Sequence, residues 1–147
     1  AYYLNKKICN MKINYWLMKS EASTWSWDDQ VKDKVTMWDG VRNYQARNNL
    51  MKMKKGDLCF FYHSVLEKKI VGIVKVYKEF YNDPTDKTNK FVAVDVITVK
   101  TLNNPVSLET IKSNKKLSNI SLIKQSRLSV MPLNKTEWDT IIKMSNK

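Results

Sequence analysis

The chain has 147 residues, 43% hydrophobic and 11% aromatic, enough apolar material for one domain with its own core and too much for a disordered chain. Its 26 Lys and Arg against 14 Asp and Glu give a formal charge of +12, which favours a polyanionic partner such as nucleic acid but carries no specificity. Cys9 and Cys59 fit neither a disulfide framework nor a metal-ligand spacing, no apolar run nears the roughly 20 residues of a membrane span, and the N-terminus lacks a signal peptide's apolar centre. The expectation is a soluble intracellular protein with reduced thiols and no membrane contact.

Residues 1–12 are polar and basic apart from Tyr2, Tyr3 and Leu4 and read as an N-terminal extension, leaving 13–147 as the domain. Residues 13–18 (I-N-Y-W-L-M) read as a buried first strand that delivers Lys19, Ser20 and Glu21 to a strand end, where loops carry function. Ser23 or Ser26 caps a short helix whose first turn holds Asp28 and Asp29 and whose buried side is Trp25, Trp27 and Val31.

The stretch 37–49 then gathers a Trp, a Tyr, three Asn, a Gln, an Asp and two of the chain's three arginines. Asp39-Gly40 marks a turn, and a helix is predicted from about 42 to 53. Arg, Asn and Gln each offer two hydrogen bonds in one plane, and Trp and Tyr offer flat faces, the parts that hold a nucleobase. A solvated helix start beside a core Trp explains the same residues.

Three β runs follow, 58–65, 70–77 and 91–102, with Gly72 predicting a bulge or tight corner and Asp95 requiring a partner. Asn82-Asp83-Pro84-Thr85-Asp86 is a loop by composition. Ser107 caps a helix start, residues 113–119 read as irregular, and the segment 121–130 carries the third arginine, Arg127, beside Gln125 and Ser129. A short closing strand at 130–132 precedes Asn134-x-x-Glu137, a capping box opening an amphipathic helix with Trp138, Ile141, Ile142 and Met144. Neighbouring strands without crossover helices give an α+β order and argue against a Rossmann-type sheet; a small curved sheet or partial barrel with helices outside fits best.

Catalysis finds little support. His63 is the one histidine, Ser64 beside it points to the other face of a strand, and Cys59 four residues back sits about 13 Å away. No carboxylate or thiol cluster completes a metal site, and three glycines form no phosphate loop, so neither metal nor cofactor is expected.

The motifs 15–21 (Y-W-L-M-K-S-E), 38–48 (W-D-G-V-R-N-Y-Q-A-R-N), 60–64 (F-F-Y-H-S), 70–74 (I-V-G-I-V), 83–85 (D-P-T) and 125–130 (Q-S-R-L-S-V) resemble, in order, the EVE domain family over residues 13–145. The departures are Ala22, Asn82 and Lys124, where the family commonly has Pro, Pro and Arg.

The resemblance implies a PUA-like curved mixed β-barrel of five to six strands wrapped by helices. It also implies a non-enzymatic, monomeric, nuclear reader of nucleic acid, DNA in preference to RNA, with 5-methylcytosine or its oxidised forms as the base. By that likeness Ser20, Trp38, Asn43, Gln45, Tyr62 and His63 form the base pocket. Lys19, Arg42, Arg47, Gln125, Arg127 and Ser129 form its rim and phosphate contacts. Two other readings stay open: an enzyme on a nucleotide or RNA with Asp39 or His63 in an acid–base role, and a small-molecule or protein-interaction module.

Overall fold

The computed structural model describes residues 12–147, so the expected extension lies, Lys12 apart, outside the described residues. Strands β1 (Tyr15–Glu21), β2 (Val35–Trp38), β3 (Leu58–Ser64), β4 (Lys69–Asn82), β5 (Val92–Ser107) and β6 (Val130–Leu133) form one mixed sheet in the order β2-β5-β4-β3-β1-β6. Among the described residues only β1 and β3 pair in parallel, from Tyr15 opposite Leu58 to Glu21 opposite Ser64; the other pairs are antiparallel. A parallel pair needs a crossover, here supplied by helix α1 (Trp27–Asp33), β2 and helix α2 (Tyr44–Lys52). The helices α3 (Leu108–Lys112), α4 (Ser121–Lys124) and α5 (Lys135–Ser145) follow the sheet's long strands.

The expected α+β class and six strands hold, and the barrel is open. The edge strands β2 and β6 do not pair with each other among the described residues. Curvature comes from β4 and β5, 14 and 16 residues long, whose register shifts four times between Ile70 and Tyr81. Each irregularity bends and twists the strand that carries it.

Local chemistry fixes the helix starts. Ser26, not Ser23, caps α1: its Oγ accepts from Asp29 N–H while the Asp29 carboxylate accepts from Ser26 N–H. Asn134 and Glu137 make the same reciprocal box before α5. Ser107 caps α3, and Asn43 caps α2 by accepting from Ala46 N–H.

Successive β3 residues face opposite ways, and both faces are covered. Phe60 stacks on Trp138 of α5 at 3.8 Å between ring centroids, while Phe61 meets Trp27 and Trp38 edge-on at 5.1 and 5.5 Å. That explains the nearly unbroken apolar run of this strand. Gly72 does more than bend β4. The Trp27 ring lies directly on it, and a Cβ there would stand 2.2 Å from a ring carbon.

Three details differ from expectation. Val31 is exposed and Gln30 is buried in its place, its Oε1 accepting from Trp25 Nε1–H at 2.9 Å and its Nε2–H donating to the Lys34 carbonyl at 3.0 Å. Residues 35–38 form an edge strand against β5, which their mixed polarity concealed. Within 113–119, Lys115–Leu117 make one 3-10 turn. Asp95 finds the partner it required in the Tyr81 hydroxyl; burial and that carboxylate together push the Tyr81 phenol upward.

Candidate nucleic-acid interface

The parallel strands β1 and β3 end side by side, at Lys19-Ser20-Glu21 and Tyr62-His63-Ser64, and the molecule's clefts open there. One, about 670 Å³, runs between the end of β1 and the turn that leaves β2, with Ser20, Trp25, Met37, Trp38, Gly40 and Asn43 on its walls. That volume falls in the range of small-molecule sites. A second cleft of about 480 Å³ contains Tyr62, Lys68 and Arg127 and shares Lys19, Glu21 and Ser129 with the first. A third, about 300 Å³, lies between Asn43 and Gln45 on one side and Lys124, Gln125 and Arg127 on the other. The shared residues make the three one branched groove around the segment 124–129.

The turn after β2 is clamped from a distance. Gly40 takes φ +79°, a conformation that suits glycine, and its N–H donates to the Asp83 carboxylate at 2.8 Å. Asp83 is buried and also accepts from Arg42 at 3.1 Å and from the Thr85 N–H and hydroxyl at 2.7 and 2.6 Å. Burial raises its pKa, but these donors outweigh it and hold the carboxyl below its ordinary value. Arg42 further donates to Thr85 Oγ1 at 2.9 Å and lies over the Phe91 ring at 5.4 Å. The Asn82–Asp86 loop therefore fixes one cleft wall.

Hydrogen bonds limit what the walls can offer a ligand. Ser20 donates its hydroxyl proton to the Trp25 carbonyl, so toward the cleft it presents only lone pairs. Asn43 uses Oδ1 as the helix cap, leaving its Nδ2 donors to the cleft. Trp38, 8% exposed, backs the cleft with its ring set against Phe61. Lys19 is half-buried, which lowers its pKa; its Nζ donates to the Ser126 carbonyl at 2.7 Å and stands 5.9 Å from the Tyr62 ring centroid. Lys19 N–H also bonds the Ser129 carbonyl at 2.8 Å, tying the 126–129 segment to β1.

The three arginines have different standing. Arg47 donates to Asn48 Oδ1 and the Lys90 carbonyl, covers the Tyr44 ring at 4.9 Å, and stands off the clefts. Arg42 is clamped as above. Arg127 is exposed and, among the described residues, its guanidinium has no hydrogen bond or ion pair. His63 lines none of the three clefts: its Nε2 accepts from Trp27 N–H at 2.9 Å, which places the proton on Nδ1, 3.2 Å from Glu67. Tyr62 and Trp38, expected in one base pocket, occupy adjoining clefts. Trp25 and Met37 were not singled out for the cleft; the strand end at Lys19–Glu21 and the Asp39-Gly40 turn signalled that their neighbourhood opens there.

A curved mixed α+β sheet with a basic groove at the shared end of its one parallel strand pair defines the class. Within it, the chain belongs to the EVE domain family, whose pattern matches residues 14–144. It is 38% identical to mouse thymocyte nuclear protein 1, over 89% of this chain and 73% of that one. The NMR structure of Rpa0253 from Rhodopseudomonas palustris superposes with a TM-score of 0.87 at 45% identity, covering 91% of this chain and 94% of that one. The crystal structure of human THYN1 protein in complex with DNA containing 5-methylcytosine superposes with a TM-score of 0.85 at 34% identity, covering 91% and 98%.

Proposed function

We propose that this protein is a non-enzymatic DNA reader that takes one modified cytosine, 5-methylcytosine or an oxidised form, out of the duplex into the cleft between β1 and β2. One observation carries the reading: an aromatic-backed cleft with fixed hydrogen-bonding polarity adjoins the cleft of Arg127, whose guanidinium is unpaired among the described residues, in a chain of net charge +12. The likeness to a protein solved with 5-methylcytosine DNA supports the choice of base.

In this reading Trp38 and Met37 supply the apolar wall for the ring and its 5-substituent. The Ser20 lone pairs accept from the exocyclic amine, and Asn43 Nδ2–H donates to a ring acceptor. Tyr62, under Lys19, flanks the adjoining nucleotide. Lys19, Gln45, Gln125, Arg127 and Ser129 follow the sugar-phosphate path, while Arg42 holds the wall and Arg47, off the clefts, meets a phosphate further along. His63 serves by bracing α1 against β3. One chain holds the whole site, so a monomer suffices, and the name of the animal relatives accords with work in the nucleus.

Binding without turnover fits the polar groups present. The Ser20 proton is committed to a carbonyl, Cys59 is buried with its thiol pushed upward, and both His63 nitrogens are engaged. Fluorescence anisotropy with duplexes carrying one cytosine, 5-methylcytosine or 5-hydroxymethylcytosine tests the reading. The wild type should prefer a modified duplex by roughly 10–200-fold, the discrimination that burying one small group yields. Arg127→Ala should weaken all duplexes alike and reduce the slope of log Kd against log salt by about one ion. Equal wild-type affinity for all three duplexes would overturn the proposal.

A further inference from the structure

The hairpin joining β3 to β4 is built unlike an ordinary surface turn. Val65 and Lys68 both adopt positive φ, +71° and +48°, and the left-handed region is especially unfavourable for a β-branched residue. Two aliphatic side chains stand at its tip, Val65 57% and Leu66 83% exposed, outside the buried core. Strain held in place beside a groove points to use rather than accident.

The tip is held from three sides. Leu66 N–H donates to the Ser64 carbonyl at 3.0 Å, and Leu108 N–H to the Lys68 carbonyl at 2.8 Å. Glu67, the one acid in the turn, folds back onto His63 Nδ1 at 3.2 Å and Lys69 Nζ at 3.3 Å, and His63 Nε2 in turn takes the Trp27 N–H. The buried histidine thus braces the hairpin onto α1, while the exposed Glu67 carboxylate is drawn back toward the strand ends and balanced there by Lys69. The turn thus presents an aliphatic point followed by the Glu67–Lys69 ion pair and the exposed Lys68.

Its position completes the argument. Val65 and Lys68 line the cleft that holds Tyr62 and Arg127, and Val65 and Leu66 line a small hollow of about 140 Å³ with Glu21, which also borders the Trp38 cleft. An apolar point beside Lys68, at the lip of a groove that also holds Arg127, fits the stacked bases of a duplex lying between its phosphate rows. Proteins that distort DNA use such side chains as wedges between base steps.

We propose that Val65 and Leu66 form a wedge that enters the base stack and holds open the space left by the nucleotide taken into the Trp38 cleft. This rests on the reader function above, and the test separates the two. Leu66→Ser and Val65→Ser are compared with the wild-type chain on three oligonucleotides carrying the same 5-methylcytosine: paired with guanine in a duplex, opposite an abasic site, and in a single strand. Both side chains lie outside the core, so the fold should be retained, checked by circular dichroism.

The paired duplex should be bound about tenfold more weakly by the variants, since only there must the stack be opened by the protein. Affinity for the abasic and single-stranded forms should be unchanged. A 2-aminopurine next to the modified base should brighten on binding wild type and stay quenched with the variants. Equal loss on all three oligonucleotides, or none on the paired duplex, overturns the wedge while leaving the reader intact. A wild type with no preference for the modified base overturns both, and that arm needs no variant. Binding of the tip to another protein would appear as variants indistinguishable from wild type on every oligonucleotide.

Discussion

Asp83→Ala is expected to lower the unfolding free energy by about 3 kcal/mol and to abolish preference for a modified base in the same variant. The carboxylate is buried and receives four donors: Gly40 N–H, Arg42, and the Thr85 N–H and hydroxyl. Removing it leaves Gly40 N–H without an acceptor and frees Arg42, whose side chain is 42% exposed and so recovers part of its hydration. That exposure keeps the loss below what a fully buried pair would show.

The functional effect follows from geometry: the Gly40 turn and Arg42 are the clamped part of the Trp38 cleft wall. The same carboxylate gives the effect a pH signature. Because its folded pKa is depressed, the folded state binds fewer protons than the unfolded state near and below the ordinary value of 3.8. Its stabilisation is complete above that value and is lost as pH falls through the folded pKa. Asp86 adds to the trend, held low first by the Thr88 hydroxyl and then by the Thr88, Phe91 and Lys90 N–H groups. Urea midpoints measured from pH 6 downward should fall for wild type and fall less for Asp83→Ala. Identical slopes would remove Asp83 from this account.

Gly72→Ala is expected to be of similar or greater severity, by about 3 kcal/mol or more, from one added methyl group. The new Cβ would lie 2.2–2.4 Å from three atoms of the Trp27 indole, a rigid ring that cannot swing a flexible end aside. Trp27 cannot withdraw cheaply: its Nε1–H bonds Thr101 Oγ1 at 2.9 Å, its ring abuts Phe61, and its backbone N–H bonds His63. Thermal melting should shift down by roughly 6–12 °C for a domain of this size. Pairing Gly72→Ala with Trp27→Phe, which shortens the ring, should restore part of the shift; no restoration would place the strain elsewhere.

These two residues also mark what the sequence disclosed. Strands over apolar runs, the Asn134 capping box and the corner at Gly72 were legible because their causes are local: periodicity, a reciprocal cap, a missing Cβ. Gln30 was not legible, because its burial depends on Trp25, Lys34 and Thr98, and the last of these lies 68 residues away. At the site, residue types pointed to Ser20, Trp38 and Asn43, which line one cleft, but not to the standing of each arginine. Arg42 is clamped by a carboxylate 41 positions on and Arg47 by a carbonyl 43 positions on, whereas Arg127 is unpaired among the described residues. No local pattern carries that difference. Residues 35–38 escaped as a strand because one face of an edge strand lies open to water.

The most direct measurement of the central claim is a map of backbone amide shifts in the labelled chain, titrated with a duplex containing one 5-methylcytosine and with the same duplex containing cytosine. The account predicts that the difference between the two titrations concentrates at Lys19–Glu21 and Trp38–Asn43, with Arg127 and Ser129 shifted by both duplexes. Identical maps for the two duplexes, or a methyl-dependent difference confined to residues outside that groove, would contradict it.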